Sequence, residues 1–266
     1  MSNALGKLTV GSLFAGIGGI ELGLEWTGGF ETVWQVEIDD YARRVLEKHW
    51  PNVRRWDDVR TFPPEPVDEW RCDLVCGGFP CQDVSVAGRR KGIEGERSGL
   101  WFEYARIIRA LRPNYILVEN VAGLLDRGAG RVFGELAESG YDAEWISLSA
   151  SEFGADHERE RVYILAYPEQ TKRSNVLHSA RGPREFHRSY FHYWGKERDW
   201  GIGKLGRCRL DSVRRAIAAG VFGMAYGVSD SLEPRLECLG NAVVPQVAQW
   251  IGERILEAER ASHAAT

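Results

Sequence analysis

Short apolar segments alternate with amphipathic segments along most of the chain. Continuous apolar runs predict buried strands at 8–14, 32–36, 73–76, 115–118 and 161–166. Helical periodicity lies between or after them, at 17–26, 39–49, 100–111 and 244–258. Strands that alternate with helices in this way indicate βαβ units. The sequence therefore predicts an α/β fold with a doubly wound, mostly parallel sheet.

The regular pattern stops after Pro168 and resumes only near the end of the chain. In the stretch 171–215 there are 12 Lys or Arg residues against 4 Asp or Glu, with six aromatic residues among them, whereas the whole chain carries a net charge of −4. A basic, aromatic segment on an acidic body favours a nucleic acid partner, with a solvated loop as the alternative. We expect one domain, 1–168 plus 231–266, interrupted by a small irregular insert at 169–230.

The bulk properties exclude several classes of protein. The chain of 266 residues is 44% hydrophobic and 27% charged, which is ordinary for a soluble globular protein. The amino terminus is short and polar and predicts no secretion signal, and no apolar stretch approaches the roughly 18 residues of a membrane helix. Five cysteines fit a reducing cytosol better than a disulfide framework. They form no CxxC pair, so we expect no metal site.

A glycine-rich turn, 16–19, follows the first predicted strand and opens a helix. Glycines at this place let a ligand approach the helix N-terminus. Glu21 breaks the GxGxxG pattern of dinucleotide sites, and the chain has no P-loop motif. The second strand ends at Glu37, where a carboxylate suits ribose hydroxyls, and Asp57-Asp58 follows a third strand and suits an adenine amino group. S-adenosylmethionine fits these residues best, although Glu37 alone fits a helix-capping acid equally well.

Residues 77–82, Gly-Gly-Phe-Pro-Cys-Gln, place a lone thiol on a bent turn just past an apolar strand. Cys81 is therefore expected at the carboxyl edge of the sheet, where open α/β sheets bind ligands. Only a few per cent of an ordinary thiol is ionised at neutral pH, so an attacking cysteine needs help from its site or an activated substrate. The alternative for Cys81 is a small buried hydrophobic residue, which is the usual fate of a cysteine.

Five short motifs occur in one order along the chain. They are Gly16-x-Gly18-Gly19, Pro80-Cys81-Gln82, Glu119-Asn120-Val121, Arg159-Glu160-Arg161 and Gly240-Asn241-Ala242-Val243-Val244-Pro245. With this ordered set the chain resembles the DNA (cytosine-5) methyltransferase family, in the small phage or prophage style, over roughly 8–168 and 235–258. The resemblance implies S-adenosylmethionine as the cofactor and a Rossmann-like catalytic and cofactor-binding domain at 1–168 plus 231–266. It also implies that the insert at 169–230 is the target-recognition region.

The resemblance gives the catalytic residues their roles. Cys81 would be the nucleophile that adds to C6 of an extruded cytosine, so that C5 becomes reactive toward the sulfonium methyl group. Glu119 would hold N3 and the exocyclic amine in its protonated form, and burial would raise its pKa in the required direction. Arg161 matches the arginine that faces O2, with Arg159 nearby. Taken alone, Glu119 also fits an acid that caps the next turn, and the two arginines fit surface salt bridges.

The remaining expected contacts surround the cofactor and the DNA. The expected cofactor-binding residues are Phe14, Ala15, Gly16, Gly18, Gly19, Glu37, Ile38, Asp58, Pro80, Leu100, Asn241, Ala242 and Val243. Contacts to DNA are expected from Gln82, Ser85 and Arg97, in a segment with the composition of a phosphate-contacting lid that also fits a plain solvated loop.

The expected substrate is duplex DNA with a short specific sequence, methylated by a monomer in the cytoplasm of a bacterial cell, with no membrane partner. A phage or prophage origin and a restriction endonuclease that acts independently are left open. So are two other functions, a tRNA cytosine-5 methyltransferase on the same fold and a catalytically inactive DNA-binding relative. Intact Cys81, Glu119 and Arg161 favour an enzyme.

Overall fold

The structure is a computed structural model that describes residues 6–80, 99–155, 157–171, 173, 175–178, 238 and 240–264. The described strands are β1 (Leu8–Leu13), β2 (Phe30–Val36), β3 (Arg54–Trp56), β4 (Leu74–Gly77), β5 (Tyr115–Val121), β6 (Tyr141–Ser149) and β7 (Glu160–Pro168). The described helices are α1 (Gly19–Trp26), α2 (Asp40–His49), α3 (Leu100–Leu111), α4 (Leu124–Arg127), α5 (Ala129–Glu138) and α6 (Pro245–Ala264).

These strands form one sheet in the order β3-β2-β1-β4-β5-β7-β6. The pairs β1–β2, β1–β4, β2–β3 and β4–β5 are parallel, while β7 runs antiparallel to both β5 and β6. The predicted α/β fold with a mostly parallel, doubly wound sheet is confirmed. The strand order reverses between β1 and β4, so a crevice opens at the carboxyl ends of these strands, where such sheets bind ligands.

Helices cover both faces of the sheet. On one face, α3 and α5 pack over a core that includes the fully buried Trp34 and Trp101. On the other face, α1 and α6 pack together around Trp250. A side chain at Gly23 of α1 would overlap the backbone oxygen of Pro245 in α6. The close approach of these two helices therefore requires glycine at position 23.

Two element boundaries beside the glycine turn differ from the predicted ones. Strand β1 ends at Leu13 and not at residue 14. Helix α1 begins at Gly19 and not at residue 17, because Gly16 (φ +55°) and Gly18 (φ +85°) are in the left-handed region that favours glycine. Strand β6 and helices α4 and α5 were not among the predicted elements. None of the described helices is long and apolar enough to cross a membrane.

The described chain beyond β7 still belongs to the core. Val176 and Leu177 are buried, and their backbone N–H groups donate to the carboxylate of Glu144 on β6 at 2.8 and 3.2 Å. The Arg173 guanidinium forms an ion pair with Glu259 of α6, whose carboxylate also accepts from the Tyr115 hydroxyl at 2.7 Å. These contacts attach Arg173 to α6 and Val176 and Leu177 to the sheet.

Candidate active site

A cavity of about 1060 Å³ lies at the carboxyl ends of β1, β2, β4 and β5. The predicted site residues that line it are Phe14, Ala15, Gly16, Gly19, Glu37, Ile38, Asp58, Pro80, Leu100, Glu119, Arg159, Arg161, Asn241, Ala242 and Val243. The predicted residues Cys81, Gln82, Ser85 and Arg97 lie outside the described residues. In the described part of the chain, no group of three His, Cys, Asp or Glu side chains could hold a metal ion.

The glycine turn forms one end of the cavity. The backbone N–H of Gly16 donates to Glu37 Oε2 at 2.7 Å, and the N–H of Asp39 donates to Glu37 Oε1 at 2.9 Å. Each carboxylate oxygen has more than one acceptor position, so both can still accept from a ligand. Glu37 is thus oriented toward the cavity by main-chain contacts.

Gly18 does not line the cavity, because it lies under the indole of Trp50. A side chain at position 18 would overlap that ring. The indole Nε1 donates to both carboxylate oxygens of Glu25 on α1, at 3.0 and 3.1 Å. Gly18 therefore packs against Trp50 on the side of the turn that faces away from the cavity. The sequence did not predict this contact of Trp50.

Asp58 borders the same end of the cavity and is held by Arg60. Arg60 Nε lies 2.9 and 3.1 Å from the two Asp58 carboxylate oxygens, and the backbone N–H of Arg60 donates to one of them at 3.0 Å. The hydrogen bonds from Arg60 lower the pKa of Asp58, so the carboxylate stays ionised and available as an acceptor.

A buried glutamate and a partly buried arginine form the other end of the cavity. Glu119 on β5 is 8% exposed, and the Arg161 Nε on β7 lies 3.1 Å from Glu119 Oε1. The antiparallel register places Arg161 opposite Val121 and Tyr163 opposite Glu119, so Glu119 and Arg161 are diagonal neighbours on one face of the sheet. Burial raises the pKa of Glu119, and the charges of Arg161 and Arg159 oppose part of that rise.

Gly78 and Asn120, for which the sequence predicted no role, contact Glu119 and the turn that precedes Cys81. A side chain at Gly78 would overlap Glu119 Oε2, so the carboxyl group lies directly against the backbone there. The buried Asn120 donates from Nδ2 to the carbonyl oxygen of Phe79 at 3.2 Å. Gly78 belongs to the segment 77–82 and Asn120 to the motif Glu119-Asn120-Val121. These motifs are the sequence signal by which both residues could have been identified.

A second buried glutamate lies beneath the glycine turn. Glu21 is 1% exposed and lines the cavity beside Ser12. Gln35 Nε2 donates to its Oε1 at 3.4 Å, and burial raises the pKa of Glu21 to about 7. In the sequence, Glu21 stands out only as the residue that breaks a dinucleotide motif.

The segment after the insert closes the cavity. Arg159 donates to the backbone oxygens of Gly240 and Asn241, the second at 2.8 Å. The backbone of Val243 packs directly on Gly19, where any side chain would overlap it. The structure thus brings the first and last of the five motifs together, although about 220 residues separate them in the chain.

Known proteins are similar to this chain in sequence. The family model for C-5 cytosine-specific DNA methylase matches residues 8–199. The Type II methyltransferase M.Bsp6I of Bacillus sp. (strain RFL6) is 42% identical over 166 residues, which cover 60% of this chain and 52% of the relative. The chain therefore spans about half the length of the curated relatives it matches.

Solved structures agree on the fold. A putative DNA modification methyltransferase encoded within an E. coli prophage is 26% identical with a TM-score of 0.54, covering 64% of this chain and 49% of the other. The S. pombe Dnmt2 methyltransferase is 18% identical with a TM-score of 0.62, covering 94% and 98%. The second likeness concerns the fold alone. On the match of the family model to residues 8–199, this chain belongs to the C-5 cytosine-specific DNA methylase family.

Proposed function

We propose that the chain transfers a methyl group from S-adenosylmethionine to C5 of a cytosine flipped out of duplex DNA at a short specific sequence. One observation carries this proposal: the same cavity joins the oriented carboxylate of Glu37 to the ion pair of the buried Glu119 with the partly buried Arg161, with Pro80 on its border. Pro80 directly precedes the proposed nucleophile, Cys81. A cofactor at one end and a base at the other would therefore meet beside that residue.

The residues at the glycine end fit an adenosine cofactor. Both oxygens of Glu37 are held by backbone N–H groups and can accept the two ribose hydroxyls. Ile38 is 64% exposed at the cavity and offers an apolar face to the adenine ring, whose amino group Asp58 can accept. Phe14, Leu100 and the 241–243 segment complete the walls. When bound, S-adenosylmethionine supplies an electrophilic methyl group on a sulfonium.

The residues at the other end fit a cytosine ring. The thiolate of Cys81 forms a bond to C6, and the electron pair of the C5–C6 double bond becomes available at C5 for methyl transfer. Glu119 in its protonated form donates to N3, and its raised pKa favours that form. Arg161 faces O2 as negative charge develops there. Loss of the C5 proton to a base then expels the thiolate and restores the aromatic ring.

The rest of the chain supplies the DNA contacts in this proposal. Because Val176 and Leu177 are buried in the core, we place the start of the target-recognition insert after residue 178 and not at 169. The insert's basic residues would contact phosphates, while Gln82, Ser85 and Arg97 would contact the DNA around the flipped base. We propose a monomer that acts in the bacterial cytoplasm, independently of any paired restriction endonuclease.

Covalent trapping tests the proposed function directly. Duplex DNA that contains 5-fluorocytosine is expected to form a stable adduct with the wild-type protein in the presence of S-adenosylmethionine, because fluorine at C5 blocks the final elimination. Cys81→Ser is expected to form no adduct and to show no methyl transfer, with cofactor binding near normal. A wild-type protein that binds DNA without forming an adduct would instead be an inactive relative.

Substrate choice is tested by parallel methyl-transfer assays on duplex DNA and on tRNA. We expect transfer to duplex DNA, and bisulfite sequencing of DNA from an expressing host would then reveal the sequence that is methylated. Transfer to tRNA alone would contradict the proposal. Removal of residues 179–230 is expected to abolish sequence-specific DNA binding while cofactor affinity is retained, and selective binding that survives the deletion would place recognition elsewhere.

A further inference from the structure

Arg159 lies next to the catalytic pair but makes different contacts. It directly precedes β7 and is two residues from Arg161, which faces Glu119. The Arg159 guanidinium instead donates to two backbone oxygens, those of Gly240 and Asn241. The motif places Arg159 beside the expected catalytic residues, whereas these hydrogen bonds join it to the segment that follows the insert.

The two carbonyl groups are suited to a cation. Residues 240 and 241 end a helical turn in which the N–H of Ala242 donates to the Cys238 oxygen at 2.9 Å. Carbonyl groups at the C-terminal end of a helical turn lack partners in the turn and carry partial negative charge. A planar guanidinium has several N–H donors in a fixed geometry and satisfies two such groups at once.

The segment held by Arg159 is a wall of the cofactor end. Asn241, Ala242 and Val243 line the cavity, and the backbone of Val243 packs on Gly19 at the start of α1. Arg159 is thus the link between the strand that carries Arg161 and the wall at the glycine turn. Loss of this link would leave the ion pair of Glu119 with Arg161 in place and release the wall at the cofactor end. Loss of the Arg159 charge would also raise the pKa of Glu119 further, which favours its protonated form.

We propose that Arg159 is a positioning residue that holds the 240–243 segment against the glycine turn and thereby sets the affinity for the cofactor. This proposal rests on the proposed function. It assigns Arg159 to cofactor affinity and leaves Glu119 and Arg161 to act on the base. The two arginines therefore differ in role although they are two residues apart.

Steady-state kinetics on duplex DNA separate the two roles. Arg159→Ala removes two hydrogen bonds from a charged donor and is expected to raise the KM and the Kd for S-adenosylmethionine by at least about tenfold. The kcat at saturating cofactor is expected to stay within about twofold of wild type. Arg159→Lys keeps the charge and is expected to recover part of the affinity. Arg161→Ala is expected to do the reverse, with a large fall in kcat and an unchanged Kd for the cofactor.

Amide hydrogen exchange gives a readout that does not depend on catalysis. In Arg159→Ala, faster exchange is expected at residues 240–243, with no change in β5 or β7. Arg109→Ala, which removes an exposed arginine that pairs with Glu135, controls for a general loss of stability and is expected to alter neither exchange nor KM.

Two results would overturn the inference: an unchanged KM and Kd for the cofactor in Arg159→Ala, or a fall in kcat alone. Failure of the proposed function looks different, because the wild-type protein would then transfer no methyl group. In that case the exchange measurement on residues 240–243 still decides whether Arg159 holds the segment.

Discussion

The two ends of the cavity each contain a buried glutamate, and the surroundings of these two residues differ. Glu21 lies beneath the glycine turn, where the neutral side chain of Gln35 donates to its Oε1 at 3.4 Å. Glu119 lies at the opposite end, with the Arg161 guanidinium 3.1 Å away. Burial raises the pKa of both carboxyl groups.

A raised pKa therefore does not by itself identify a catalytic acid. Glu119 combines burial with a neighbouring cation and with a glycine, Gly78, that lets the carboxyl group reach the cavity beside Pro80. Glu21 is also buried, but among the described residues no cation pairs with it, and the side chain that donates to it is the neutral Gln35. We therefore expect Glu119 to act in catalysis and Glu21 to lower the stability of the fold at neutral pH.

The strongest test of this comparison is Glu119→Gln. The amide cannot pass a proton to N3, so kcat on duplex DNA is expected to fall by about 10² to 10⁴. Cofactor Kd, measured by calorimetry, is expected to stay within about twofold because the glycine end is untouched. In the wild type, kcat is expected to fall as pH rises through the raised pKa of Glu119. Full activity in the Glu119→Gln variant would contradict the assigned role.

Glu21→Gln is the matched variant at the other end. The pKa of Glu21 is 4.5 in a free carboxyl group and about 7 in the fold, so the folded state holds a proton that the unfolded state releases between these values. Stability of the wild type is expected to fall as pH rises through this window, by about 3 kcal/mol in total. The variant is expected to lack this slope in urea unfolding at pH 5 and pH 8. The kcat of Glu21→Gln is expected to change little. A fall in kcat as large as that of Glu119→Gln would show that both glutamates act in catalysis.

A smaller effect is expected at Glu37, whose carboxylate is proposed to accept the ribose hydroxyls of the cofactor. Glu37→Gln replaces a charged acceptor with a neutral one, so Kd for S-adenosylmethionine is expected to rise about tenfold to a hundredfold, with kcat at saturation nearly unchanged. Glu31 is an exposed residue of β2, and Glu31→Gln serves as the control. This variant is expected to bind S-adenosylmethionine with the wild-type Kd. An unchanged Kd in Glu37→Gln would place the ribose elsewhere.

The smallest effect is expected beneath the turn. Trp50→Phe keeps a ring over Gly18 but removes the hydrogen bond to Glu25, so the free energy of unfolding is expected to fall by about 1 kcal/mol. Cofactor affinity is expected to stay within about threefold, since the bond from Gly16 to Glu37 remains. A tenfold loss of cofactor affinity would show that the Trp50 hydrogen bond is needed for the conformation of the glycine turn.

The strands at the site were predictable from the sequence because they are buried on both faces and appear as continuous apolar runs. Strand β5, Tyr115–Val121, is an example, and the helix predicted at 100–111 has the same bounds in the structure. Strand β6 lies at the sheet edge and was missed, although the sequence carries a signal for it. The run Tyr-Asp-Ala-Glu-Trp alternates apolar and polar residues with a period of two, and the alternation changes phase only between Trp145 and Ile146.

Within the site, motif order located most of the cavity wall, but pairwise contacts were not predictable. The ion pair of Glu119 with Arg161 depends on the register of β5 and β7, which a single sequence does not specify. The hydrogen bonds from Arg159 to residues 240 and 241 span 81 and 82 positions in the chain. Such contacts between distant segments are set by the folded backbone, whereas the residue types in each motif are visible beforehand.

The packing of α6 on α1 has a consequence for synthesis on the ribosome. Helix α1 ends at Trp26, and its partner does not emerge until about 220 residues later. At translation rates of about 5–20 residues per second, the apolar face around Gly23 stays uncovered for roughly 10 to 45 seconds. The cofactor end of the cavity is therefore complete only after residues 241–243 have been synthesised.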